Sequence, residues 1–119
     1  MMNEAIQKAL QEDRLVDITV LGRKSGKPHR FEITLHRHDG NYYILGRPGG
    51  KDWYANMLAH PEIILHLTKS AQADLPAATT PIHDEATRRD LFQRFMGNSD
   101  MMPDLEEFVR GAKLVQIHL

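Results

Sequence analysis

The residues that could do chemistry gather in two short stretches. Gly22-Arg23-Lys24-Ser25-Gly26-Lys27 places cations and a hydroxyl between and beside two glycines. Gly46-Arg47-Pro48-Gly49-Gly50-Lys51 repeats the combination of glycine and positive charge, and Trp53-Tyr54-Ala55-Asn56-Met57 follows it. Glycines let a backbone turn sharply and present N–H groups. With Arg, Lys and Ser around it, such a concave loop suits a phosphate or carboxylate. In the second stretch, Gly49-Gly50 precedes a short helix that Asp52 can cap. That puts free N–H groups beside the positive end of a helix dipole, and a planar ring can lie where no side chain obstructs it. Each cluster alone is also compatible with an exposed turn, where Gly and Lys are common. Trp53 and Met57, four apart, also suit core packing. Asn56 is harder to place, because Asn is a poor interior helix residue without a hydrogen-bonding task.

The first cluster is not a P-loop. The Gly-x-x-x-x-Gly-Lys-Ser/Thr spacing is missing, and no long helix follows. His36 and His38 share a strand face with Glu32, but spacing specifies no third close ligand, and the polar, solvated side of a strand is the commoner explanation, so no metal site is assigned. His60 and His66 read as structural or exposed. Arg88, Arg89 and Arg94 read as the solvated face of a helix. No serine sits in a nucleophile-elbow pattern.

The elements that must position these residues follow from period and punctuation. The 119 residues suit one domain, 1–119, with one core. Net charge is −1, which argues against bulk attraction to nucleic acid, so anion binding must come from local clusters. Cysteine is absent, which excludes disulfides, thiolate catalysis and Cys-ligated metals and fits a reducing cytoplasm. No apolar run approaches the roughly 20 residues of a membrane span, and Met1-Met2-Asn3-Glu4 is not the start of a secretory signal. A cytoplasmic protein without a transmembrane segment is expected.

Residues 3–13 read as a helix with Asn3 as N-cap and Ala5, Ile6 and Leu10 on one side. Val16-Asp17-Ile18-Thr19-Val20 alternates as a strand that ends at Gly22. Phe31, Ile33 and Leu35 point inward from the next strand, Asp39-Gly40 makes a hairpin turn, and Tyr42-Leu45 returns. Tyr42 and Tyr43 divide into one core and one surface ring. A helix from Asp52 to Ala59 ends before Pro61, and Ile63-Leu67 is another strand. Residues 68–81 suggest an interrupted edge strand. Asp84 opens a helix through Met96 with Ala86, Leu91, Phe92 and Phe95 inward. Gly97-Asn98-Ser99 ends it, and Pro103 starts a second helix through Arg110 with Gly111 at C′. Val115-Leu119 is a last strand that pairs with a distant one. Five or six strands with peripheral helices define an α+β fold built on a small, mostly antiparallel barrel.

Taken together, the strand into Gly22-Arg23-Lys24-Ser25-Gly26-Lys27-Pro28, the Asp39-Gly40 hairpin, Gly49-Gly50 before Trp53-Tyr54-x-Asn56, and His60-Pro61-Glu62-Ile63 resemble the deazaflavin-dependent nitroreductases, also described as coenzyme F-420-dependent quinone reductases. The resembling part runs from about Val16 to Leu67. The resemblance implies a split β-barrel related to flavin-binding folds. It implies a cofactor whose phosphate and acidic tail meet Arg23, Lys24, Ser25, Gly26 and Arg30. Its deazaflavin ring would lie near Arg47, Gly49, Gly50 and Lys51, with Trp53 and Asn56 shaping that end. It implies hydride transfer to a small-molecule acceptor, with no catalytic acid required. The chain departs from the family in three ways. His29 stands where Arg often follows Gly-x-Pro, with Arg30 next. The segment between Gly50 and Trp53 is short. No tyrosine follows Tyr54; Met96, Met101, Met102 and Phe108 occupy the C-terminal wall, which makes it apolar and adaptable. FMN on the same barrel is the alternative cofactor, and a non-catalytic cofactor or apolar-ligand binder is the alternative class. A homodimer is compatible with that apolar wall.

Overall fold

The computed structural model describes residues 3–47, 52–96 and 105–119. Seven strands form one sheet in the order β2-β1-β5-β6-β7-β4-β3, and every pairing is antiparallel. They are β1 (Leu15–Leu21), β2 (Pro28–Thr34), β3 (His36–His38), β4 (Asn41–Gly46), β5 (Glu62–Leu67), β6 (Ala73–Pro81) and β7 (Lys113–His118). The helices are α1 (Glu4–Glu12), α2 (Asp52–Ala59), α3 (Glu85–Met96) and α4 (Leu105–Gly111).

The sheet's two edge strands, β2 and β3, are consecutive in the chain and separated by Leu35 alone. Edges tied by one residue cannot lie at opposite sides of a flat sheet, so the sheet curls into a split barrel. Leu35 breaks the ladder because its N–H donates to the Arg14 carbonyl at 2.7 Å and its side chain enters the core. The expected α+β split barrel is thus what the chain forms.

Strict alternation builds the interior. Val16, Ile18 and Val20 of β1 meet Ile63, Leu65 and Leu67 of β5, Ile44 of β4 and Ile117 of β7. Burying a side chain of this size contributes roughly 1.5–3 kcal/mol. A second apolar cluster lies outside the barrel, where Tyr43 and Leu114 pack against Leu91, Phe92 and Met96 of α3 and Phe108 and Val109 of α4. Tyr42 packs on the barrel core, so the two adjacent tyrosines serve different cores and neither is a surface ring.

Several local expectations hold. Asn3 caps α1 by accepting from the Ile6 N–H at 2.8 Å. Asp39 (φ 55°) and Gly40 (φ 79°) give the two left-handed residues a tight hairpin needs. Asp84 caps α3 through the Thr87 N–H.

Others are corrected. The described residues form seven strands, not five or six. Residues 73–81 form a central strand, not an edge: β6 lies between β5 and β7. Pro76 is tolerated because β7 pairs only from Ala78 onward, leaving Pro76 with β5 as its single neighbour. Ala5 and Ala86 are exposed, and Ala9 and Met96 take the burial instead. Gly111 is the last residue of α4 and not a left-handed C′ residue. Gly97, Asn98, Ser99, Met101, Met102 and Pro103 lie outside the described residues. Among the described residues, no helix is long and apolar enough to cross a membrane.

Candidate functional site

The first glycine-basic cluster forms the turn between β1 and β2. The Gly22 N–H donates to the Lys27 carbonyl at 2.8 Å, and the Gly26 N–H donates to the Gly22 carbonyl at 2.9 Å. The Lys27 N–H donates to Ser25 Oγ at 3.1 Å. Gly26 adopts φ 70°, where a side chain would strain the backbone. At Gly22 a Cβ would meet Ser25 Oγ at 2.7 Å, so a larger residue would displace the Ser25 side chain. The loop's own bonds therefore engage the Gly22, Gly26 and Lys27 N–H groups. This corrects the expected concave run of backbone donors: the loop offers an anion mainly its side chains.

Asn56 of α2 holds this loop from below. It is 6% exposed, and its Oδ1 accepts from both the Arg23 N–H and Arg23 Nη1, each at 3.0 Å. A helix-interior Asn thus has the task that its position demanded, but the task is to fix Arg23. The Arg23 guanidinium also lies 3.7 Å from Asp52, whose side chain is 94% exposed, so water screens that pair.

Between this loop and α2 lies a cavity of about 450 Å³, whose lining includes Arg23, Lys24, Ser25, His29, Arg30 and Asp52 together with the apolar Val20, Phe31 and Trp53. Phe31 and Trp53 stack with centroids 6.1 Å apart and planes 25° apart. Trp53 also packs against the barrel core, so it joins core and cavity. Arg30 pairs with Thr19 across β1–β2 and donates from Nε to Asp17 Oδ2 at 2.8 Å. Arg30 therefore borders the cavity while anchored to a carboxylate. His29, which stands opposite Val20, lines the cavity beside it. The cations suit an oxyanion, and the stacked Phe31–Trp53 pair suits a flat apolar group. Of the expected site residues, the structure brings Arg23, Lys24, Ser25, Arg30, Trp53 and Asn56 to this cavity. Gly26 turns the loop without lining it. Arg47 is exposed and borders nothing in it. Gly49, Gly50 and Lys51 lie outside the described residues.

Two features escaped sequence reasoning. His66, read as structural or exposed, is 7% exposed and bridges three strands: Nε2 lies 2.6 Å from Thr19 Oγ1 and Nδ1 lies 2.6 Å from Asp74 Oδ1. Relay geometry alone is not a hydrolase. Thr19 is paired in the ladder on both sides, with Arg30 and Ile64, so the neighbouring backbone does not supply an oxyanion hole. The second is Arg88, expected on a solvated face but 8% exposed. It donates from Nε to the Val109 carbonyl at 2.8 Å, from Nη1 to Ile82 at 2.8 Å, and from Nη2 to Phe108 at 3.1 Å and to Ala112. It closes the C-terminal end of α4, the role expected of Gly111. Neither feature had a local signal, because both depend on partners far away in sequence. Among the described residues, no group of His, Cys, Asp or Glu could hold a metal.

Solved structures place the fold among split-barrel proteins. A protein from Clostridium acetobutylicum related to general stress protein 26, of the pyridoxinephosphate oxidase family, superposes with a TM-score of 0.70 at 14% identity; the alignment covers 95% of this chain and 80% of that one. A FAD-binding protein from Mesorhizobium loti gives 0.70 at 14%, covering 100% and 90%. An F-420-H2-dependent reductase gives 0.62 at 20%, covering 90% and 95%. No curated protein matches by sequence. The fold is that of a split-barrel protein. More specifically, the model of the F-420H(2)-dependent quinone reductase family matches residues 2–106, and the chain belongs to that family of oxidoreductases.

Proposed function

We propose that the protein transfers a hydride from reduced coenzyme F-420 to a small organic acceptor such as a quinone, an enone or a nitro compound. One observation carries the reading: in a chain of this family, the basic Arg23–Lys24–Ser25 loop and the apolar Phe31–Trp53 wall border a single cavity. When bound, the deazaflavin supplies the hydride. The chain supplies position and electrostatics. Arg23 and Lys24 hold the cofactor's anionic end, with the Ser25 hydroxyl and Arg30 beside them. Asn56 sets the direction of the Arg23 guanidinium. Phe31 and Trp53 exclude water from the flat end of the cavity. Gly49, Gly50 and Lys51 complete the ring end in this reading, on the strength of the family resemblance. No side chain is assigned to move a proton. The reading includes a homodimer, in which exposed Leu21 and Ile64 at a groove on the outer sheet face meet a second copy; sedimentation velocity checks it.

The test is a paired fluorescence titration with coenzyme F-420 and with FMN, at low and high salt. Tighter binding of F-420 that weakens with salt is the expected result, because exposed cations carry the contact. Preference for FMN, whose phosphate and tricyclic ring suit the same chemistry, keeps the fold and overturns the deazaflavin. Binding of neither overturns the reading. Retained cofactor without turnover of quinones, enones or nitro compounds assigns the protein to non-catalytic binding.

A further inference from the structure

A second basic cavity borders Tyr54 in the first turn of α2. It measures about 250 Å³ and is lined by Tyr54, His83, Glu85, Arg88, Arg110 and Lys113, with the backbone of residues 109–112 beneath. Lys113 stands opposite Gly46 in the β4–β7 ladder, at the start of the glycine-rich loop. Its Nζ lies 5.1 Å from the centre of the Tyr54 ring. Tyr54 itself is the chain neighbour of Trp53, which borders the first cavity.

The charge balance of this cavity is positive. Arg88, Arg110 and Lys113 are cations, and Glu85 is its one carboxylate. Glu85 Oε1 is already paired with Arg89 Nη2 at 3.1 Å, and Glu106 nearby pairs with the same arginine at 2.7 Å. Arg88 is the unusual member. Its hydrogen bonds engage four of the five guanidinium N–H groups, all with backbone carbonyls. Among the described residues it has no carboxylate partner, and the fifth N–H, on Nη1, has no acceptor. A buried cation is ordinarily paired with an anion. Here the partial charges of carbonyl groups and the face of the Phe92 ring, 5.3 Å from Cζ, oppose it, and two further cations stand at the same cavity.

We propose that this cavity is a second oxyanion site, separate from the basic loop, which takes the carboxylate or phosphate group of a small molecule. Lys113 and Arg110 make the charge contacts and the free Nη1–H of Arg88 adds a directed bond. The anion can be free in solution or can be the acidic end of the acceptor; the latter source rests on the reductase reading above.

The first arm of the test needs no cofactor. The full chain, labelled with nitrogen-15, is titrated with inorganic phosphate at constant ionic strength while amide shifts are followed. Saturable shifts at Tyr54 and residues 110–113, weakened at least tenfold in the Arg110→Gln, Lys113→Gln double variant, are expected. Dispersion of the remaining amides shows that the variant is folded, and Arg88 is left intact because it holds α4. Shifts confined to residues 22–27, or equal affinity in the double variant, overturn the proposal. Failure of the deazaflavin reading would leave this arm unchanged. The second arm separates the sources. With reduced coenzyme F-420, Lys113→Gln raises KM at least fivefold for a carboxylate-bearing quinone and leaves that of the neutral quinone in place if the acceptor is the source. Unchanged KM for both, with phosphate binding intact in the wild type, assigns the site to a free anion.

Discussion

Arg23 and Arg88 are guanidinium groups in two basic cavities of the same molecule, yet their donors are committed to very different degrees. The Arg23 side chain is 38% exposed, held by one amide oxygen and turned to a cavity that can admit a ligand. Arg88 is 8% exposed and bonded to four carbonyls that a helix end and a strand connection would otherwise leave open. The difference lies in what competes for the donors. In the β1–β2 turn, backbone carbonyls, Ser25 and Asn56 accept from the Gly22, Arg23, Gly26 and Lys27 N–H groups, so the cationic side chains are not needed to close the turn. At the end of α4 no left-handed glycine closes the helix, so a side chain must. Charge alone does not distinguish a binding arginine from a structural one; the acceptor already present does.

The comparison breaks most sharply at Arg88. Replacing it with Leu should destabilise the fold by about 3–5 kcal/mol, because buried carbonyls lose their donors together. Urea unfolding measures this, and an unchanged midpoint would contradict the assignment. Arg88→Lys should rescue little, since an ammonium cannot reach the carbonyls of Ile82, Phe108, Val109 and Ala112 in one plane.

Next comes the pair Arg23→Ala, Lys24→Ala. Each lost charge-assisted bond is worth about 1.5–3 kcal/mol, so coenzyme F-420 affinity should fall at least tenfold. Stability should move by less than about 1 kcal/mol, as both side chains are exposed. Unchanged affinity would remove the cavity's assigned role.

Asn56→Leu lies between the two regions in character. It leaves the Arg23 N–H without its acceptor and frees the guanidinium, which should cost about 1–3 kcal/mol of stability. Cofactor affinity should weaken too, and its salt dependence should persist, because the charges remain. If only stability moves, Asn56 is structural in the sense of Arg88.

The smallest effect is a pH dependence at His36, whose ring lies 4.8 Å from that of Phe95. Burial, then the charges of Arg14 and Arg37, hold its pKa below the ordinary 6.5. Between the lowered value and 6.5 the unfolded chain binds more protons than the folded one, so stability rises with pH through that window. It is fully present above 6.5 and declines as pH falls toward the folded value. Thermal unfolding from pH 7.5 to 5 should show this slope, and His36→Phe should flatten it.

Much of the barrel was legible in the residues. Val16 to Val20 alternate, Asp39-Gly40 turns, and Asn3 and Asp84 cap, because each of these signals is a local property of backbone and side chain. The two basic glycine loops were legible as composition, and the order of the pieces pointed to the family. Residues 68–81 misled because their prolines read as an edge, and only the limited reach of β7 makes Pro76 acceptable in a central strand. Arg88 misled because its helix carries charge on several sides, and burial was decided by α4 packing above it.

The sequence by itself determined most of the strands, the turns, the positive charge of the first loop and the family. Each rests on a period of two, a positive φ or a cluster of charges within a few residues. Tertiary structure decided which polar groups are already engaged. Asn56 meets Arg23 across 33 residues, His66 meets Thr19 across 47, and Arg88 meets Val109 across 21. Such partnerships are set by register and helix docking, which no local pattern encodes, and they separate the residues free to bind a ligand from those that hold the fold.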